Sequence, residues 1–264
     1  MFRYLALFAF SISAAALSLA GQNPAGAAAP AQAIDLKAIV QHMEQAAQAN
    51  REHYRAYAVT REYRLYGADE QKPSSQVVAE INFVPPATKD YKILESKGSS
   101  RGEGVVRHLL DRERKAAAEG TAPGAFTREN YEFSLLGEDK IEQHDCYVLK
   151  LEPKSKASNL FDGRAWVDKN SYLVRRVDGE MAKLPSWWLK SVHVTLNFSD
   201  VDGMWLQSST RAVAEVRIFG RHTFLSHDVS YRTADAVAQN RAQRTRRART
   251  SAPQAVLGAA IHER

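Results

Sequence analysis

Cysteine occurs once in the 264 residues, at Cys146. A lone thiol excludes an internal disulfide in any redox compartment. Its distance from the N terminus also excludes the N-terminal lipid of a bacterial lipoprotein. Its neighbours Tyr147, Val148 and Leu149 read as the surroundings of a buried, inert thiol. Beyond the first 20 residues there is no long hydrophobic run, which argues against a polytopic membrane protein. An excess of one charge is also missing from the body of the chain. The net +6 comes from Arg3 and from six arginines against Glu263 in residues 236–264, leaving 29 basic and 29 acidic residues between 34 and 235. A neutral body argues against a nucleic-acid-binding domain.

Recognisable spacings of catalytic and metal-binding residues are scarce as well. None of the eight histidines (His42, His53, His108, His144, His193, His222, His227 and His262) has a partner at metal-ligand spacing. His222 and His227, five apart in a strand, point to opposite faces. No Gly-rich phosphate loop, Gly-x-Ser-x-Gly elbow or Cys/His pair is present. The expectation is a non-enzyme with no organic cofactor and no metal; a hydrolase with a site assembled from scattered residues is the alternative from another class.

Met1–Ala20 reads as a targeting segment. Arg3 provides the positive start, an apolar run follows, and an Ala/Gly/Pro-rich linker to residue 33 offers small-x-small cleavage sites. The expected address of the cleaved protein is the periplasm. Residues 34–235 form the expected domain, and 236–264, rich in alanine and arginine without periodicity, a basic disordered tail. Within the domain, Leu36, Ile39, Val40, Met43 and Ala47 recur at helical spacing over about 34–51, with Asp35 placed to cap the start. Gly104 to about Ala118 is a second helical stretch, ended by Gly120–Gly124. Most of the rest has period two. Strands are predicted in 57–65, 77–83 up to the Pro85-Pro86 break, from Tyr91, and in 131–137, 145–152, 163–168, 172–178, 190–199, 204–217 and 218–231. Asp162-Gly163, Asp178-Gly179 and Asp202-Gly203 read as hairpin turns. Successive strands with short turns imply antiparallel pairing.

The order of these elements resembles the outer-membrane lipoprotein-sorting, or LolA-like, family. The likeness is strongest in Cys146-Tyr-Val-Leu-Lys-Leu-Glu-Pro-Lys154, in Gly163-Arg-Ala-Trp-Val-Asp168, in Tyr172-Leu-Val-Arg-Arg176 and in the strands from Val192 to Tyr231. It spans about residues 34–232. It implies a mostly β fold with some α: a curved antiparallel sheet, an incomplete β-barrel, whose concave face is covered by an N-terminal and an inserted helix. It also implies a soluble carrier of the acyl chains of lipids or lipoproteins, meeting a membrane surface or a membrane-bound release or acceptor protein. A lipid-sensing regulatory module of the same fold is the alternative within the family. The basic tail and the single helix of the insertion depart from the best-known carriers.

An exposed 16-carbon acyl chain costs on the order of 12 kcal/mol in water, so a carrier needs a shielded apolar space and no catalytic group. The apolar alternation nominates Ile81, Phe83, Tyr147, Leu149, Leu151, Val192, Val194, Leu196 and Phe198 as lining, with Leu109 and Leu110 from the inserted helix. The same side chains fit a solid core packed beneath the helices equally well. Trp187 and Trp188, after Pro185 and outside a strand pattern, read either as the rim of a lipid entrance that touches a bilayer or as a cap on the core. The arginine tail reads either as attraction to anionic headgroups or as a solvated extension.

Overall fold

The computed structural model describes residues 35–119 and 125–233; the targeting segment, linker, basic tail and Gly120–Gly124 turn expected above lie outside them. Asp35 caps α1 (Leu36–Glu52), its carboxylate accepting the Lys37 N–H at 2.9 Å, and Ile39, Val40 and Met43 form the buried stripe. Three strands follow: β1 (Tyr57–Tyr66), β2 (Ser75–Val84) and β3 (Thr88–Gly98). The inserted helix α2 (Ser100–Ala118) starts one turn earlier than its apolar pattern, capped by Ser99, whose hydroxyl accepts the Gly102 N–H. Then come β4 (Tyr131–Ile141), β5 (His144–Pro153), β6 (Phe161–Asp168), β7 (Val174–Met181), β8 (Leu189–Val201), β9 (Met204–Val216) and β10 (Gly220–Thr233).

All ten strands join one antiparallel sheet in the order β3-β2-β1-β10-β9-β8-β7-β6-β5-β4. Each strand neighbours the next in sequence except β3, which does not meet β4, and β1 joins β10. The edges β3 and β4 do not pair, so the sheet is an open, incomplete barrel, and α2 runs in the connection between those two edges. Curvature follows from what the helices touch. In a flat sheet β9 and β4, five spacings apart, would lie about 24 Å from each other, twice the width of a helix. Yet α1 packs on both. Asn50 of α1 exchanges two hydrogen bonds with the Trp205 backbone in β9 (2.9 and 2.8 Å), and Glu44 holds Arg128, just before β4, at 2.6 Å.

Two of the three expected hairpin turns are not turns. Gly163 and Gly179 lie inside β6 and β7, directly opposite each other. A Cβ on Gly163 would stand 2.2 Å from the Asp178 carbonyl oxygen, and one on Gly179 would stand 2.5 Å from that of Asp162. These glycines let two backbones approach closely and bend the sheet. Only Asp202-Gly203 forms the tight turn, both residues left-handed with φ 53° and 76°. Two strand starts also shift. Tyr172 belongs to the turn before β7, with φ 56°, and Ile218 and Phe219 form the turn before β10.

Candidate functional site

The pairing registers assign each side chain to a face. Facing inward from β1 are Tyr57, Val59, Arg61, Tyr63 and Leu65; opposite them stand Phe83, Ile81 and Val77 of β2 and Phe224, Ser226, Asp228 and Tyr231 of β10. Across β9 to β5 the inward row continues through Thr210 and Ala212, then Val194 and Leu196, Val177, Ala165 and Leu149.

The inner face divides into two apolar fields. Under α1, Ile39, Val40 and Met43 pack with Tyr131, Leu149, Leu151, Val167 and Val177, and half-buried Tyr147, Leu196 and Phe198 adjoin them. Leu196 and Phe161 join this field to a cluster of Leu189, Val192, Val194 and Val216. Under α2, Val106 and Leu110 pack with Val59, Tyr63, Val77 and Ile81. The expected lining residues are distributed over these clusters. Ile81, Leu110, Leu149 and Leu151 are at most 2% exposed and serve as helix-to-sheet core. Val192 and Val194 are core at the other end of the sheet, and Leu109 is half-buried on α2. Phe83 sits in an aromatic group with Tyr54 and Tyr57, ring centroids 5.9 and 5.3 Å away. Trp187 and Trp188 are 81% and 47% exposed, next to the buried Leu189.

Among the inward side chains of β8, β9 and β10, Leu196, Phe198, Thr210, Ala212 and Phe224 are half-buried, whereas Val192, Val194 and Ser226 are buried. Ten strands of about ten residues present roughly 1,400 Å² of sheet face. Two helices of 17 and 19 residues shade only about 550 Å² of it. The small side chains of Thr210, Ala212 and Ser226 fill little of the space above this central strip.

A polar seam runs through the field under α2, and sequence reading missed it. Arg61 Nε donates to Asp228 at 2.5 Å, and Arg61 Nη1 lies 3.4 Å from Glu113 of α2. Lys89 holds the other Glu113 oxygen at 2.6 Å, and the Tyr231 hydroxyl donates to Asp228. Burial alone would lower the Arg61 pKa, but the carboxylates of Glu113 and Asp228 hold it well above its usual value. Burial likewise pushes Glu113 up, and Lys89 and Arg61 overcome it, so Glu113 stays a carboxylate. Burial first, then Asp228, raises Tyr231, which remains a neutral donor. This network pins the middle of α2 to the sheet through charge, beside Val106 and Leu110.

On the outer face Cys146, Val148 and Trp166 pack together. Burial raises the Cys146 thiol pKa, which keeps it unreactive. Among the described residues no group of three or more His, Cys, Asp or Glu side chains is arranged to hold a metal ion. No helix among them is long and apolar enough to cross a membrane.

A family model described as an uncharacterized protein matches residues 122–236. No curated protein matches the chain. Among solved structures, a DUF1329 family protein from Desulfovibrio piger is similar at 14% identity and TM-score 0.40, over 75% of this chain and 92% of that one. A LolA superfamily protein from Nitrosomonas europaea is similar at 13% identity and TM-score 0.37, over 77% and 95%. The Mycobacterium tuberculosis lipoprotein LppX is similar at 9% identity and TM-score 0.26, over 75% and 96%. The structural neighbours of this chain thus include DUF1329 and LolA-superfamily proteins, the latter being the family that the motifs at 146–154 and 163–176 resemble.

Proposed function

We propose that this protein is an exported carrier that shields acyl chains of lipids or lipoproteins against the inner face of its sheet, under the cover of α2. The observation that carries the reading is the central strip. Leu196, Phe198, Ala212 and Phe224 face inward and are half-buried beside the helix-covered cores, and the neighbouring side chains of Thr210 and Ser226 are small. An apolar strip continuous with two cores is the surface an acyl chain needs, at about 0.8 kcal/mol per methylene removed from water. A longer chain reaches Leu149 or Ile81 only if α2 or α1 moves aside. The contact of α2 with the sheet combines the Arg61–Glu113–Lys89 ion pairs with the Val106 and Leu110 core, and both part when α2 opens as the cover. Transport needs no reacting group, and the periplasm is the compartment in which such a carrier works.

Filling the strip tests this. Ala212→Trp adds bulk at its middle and should weaken binding of a fluorescent fatty acid by about tenfold or more, with little change in the melting temperature. Unchanged affinity in a folded variant would show that acyl chains bind elsewhere.

A further inference from the structure

Nine large hydrophobic side chains are exposed among the described residues, and four of them share one end of the sheet. Trp187 and Trp188 precede β8; Ile218 and Phe219, 84% and 69% exposed, form the turn between β9 and β10. The two loops are fastened side by side. The Arg217 N–H donates to the Trp188 carbonyl at 2.9 Å, and Arg217 Nε donates to the Trp187 carbonyl at 2.8 Å. Beneath them Leu189, Val216 and Leu184 form a firm base. The apolar tips are held outward by the fold.

The charge within the two loops is of one sign. Segments 181–190 and 216–221 contain Lys183, Lys190, Arg217 and Arg221 and no carboxylate, in a domain otherwise balanced in charge. Arg221 lies 3.4 Å from Glu70, but Lys183, Lys190 and Arg217 have no acidic partner among the described residues. Exposed tryptophan, phenylalanine and isoleucine at one end of the sheet, beside Lys183, Lys190 and Arg217, match the layering of a membrane interface, in which apolar groups enter the acyl boundary and cations meet the headgroups.

We infer that the paired loops 184–188 and 217–219 form a membrane-docking edge for a bilayer containing anionic lipid. The inference stands independently of whether the concave face carries lipid.

Full-length protein is incubated with vesicles of phosphatidylcholine alone or mixed with phosphatidylglycerol, and binding is read by sedimentation. Binding is expected to the mixed vesicles, to fall with added salt, and to be accompanied by quenching of tryptophan fluorescence by brominated acyl chains. Trp187→Ser combined with Phe219→Ser should lower partitioning by about tenfold or more while leaving fatty-acid binding unchanged. Lys183→Gln combined with Lys190→Gln should erase much of the preference for phosphatidylglycerol. Vesicle binding that survives the loop substitutions, which would assign it to the arginines at 241–249 or to another surface, overturns the inference. So does an absence of vesicle binding, or of quenching, in the unaltered protein; the wild-type quenching result stands even if a variant fails to fold.

Discussion

Gly163→Val is expected to abolish stable folding, with a loss of about 4 kcal/mol or more in urea unfolding. The effect is steric and does not depend on φ. At this position a first side-chain carbon would stand 2.2 Å from the Asp178 carbonyl oxygen and 2.5 Å from the Gly179 Cα, both backbone atoms. No rotamer relieves a clash with backbone. Strand β7 would have to move, and it is also bound to β8, so the strain spreads into the middle of the sheet. Gly179→Ala meets the Asp162 carbonyl at 2.5 Å and should act in the same direction. Gly104→Ala is the control: it lies inside α2 with nothing within 4 Å of the new methyl, and should stabilise by about 0.5–1 kcal/mol. Near-normal stability of Gly163→Val would show that β6 and β7 do not cross as described.

Asp168 carries the second large effect. The carboxylate is 2% exposed at the end of β6. One of its oxygens accepts the backbone N–H groups of Asn170 and Ser171, each at 2.9 Å, and the other accepts Arg175 Nε at 2.6 Å. His144 Nδ1 stands 3.3 Å from the second oxygen. Burial pushes the carboxyl pKa up, but the Ser171 N–H, Arg175 and the Asn170 N–H more than offset this and hold it at about 2. The folded value therefore lies below the unfolded value of about 3.9. Its contribution, about 2 kcal/mol, is complete above pH ~4 and is lost as the pH falls through 2. Asp168→Asn should flatten that acid limb of the stability curve. Asp168→Ala should cost about 3 kcal/mol or more at neutral pH, because Arg175 and two N–H groups lose their acceptor. The check is urea unfolding of the three proteins from pH 2 to pH 7. An acid limb in Asp168→Asn as steep as that of the wild type would contradict the assignment.

Both residues show how far the sequence could be read. Alternation gave the strands, and 192–198 is as clear in the structure as in the chain. The three Asp-Gly pairs are identical as dipeptides, but only Asp202-Gly203 uses the left-handed backbone that glycine permits; the other two use the missing Cβ. The signal that separates them is wider. Phe161, Gly163, Ala165 and Val167 keep period two straight through the glycine, as do Val177, Gly179 and Met181. The first turn of α2 was hidden for a related reason. Ser99-Ser-Arg-Gly reads as loop, whereas Gly102 is a glycine because Ser75 Oγ occupies the space 2.1 Å from where its Cβ would be.

The site was legible in part. Apolar alternation located the inner face but could not divide helix-covered core from open strip, because both need the same residue types. Only the placement of two helices over ten strands separates Leu149, sealed under α1, from Leu196 and Phe198, half-buried beyond it. The Arg61–Asp228 pair joins residues 167 apart in the chain and carries no local pattern. Trp187 and Trp188 stood out in sequence, but Ile218 and Phe219 read as the start of a strand until pairing placed them in the turn beside the tryptophans.

Native mass spectrometry of protein purified without detergent, with extraction and identification of whatever is bound, tests the acyl-carrier reading most directly. The account predicts a species heavier than the polypeptide by the mass of one acyl lipid, much reduced in Ala212→Trp. Bare polypeptide that also fails to take up fatty acids or phospholipids offered in excess would contradict it, and would leave the curved sheet as a scaffold for some other purpose.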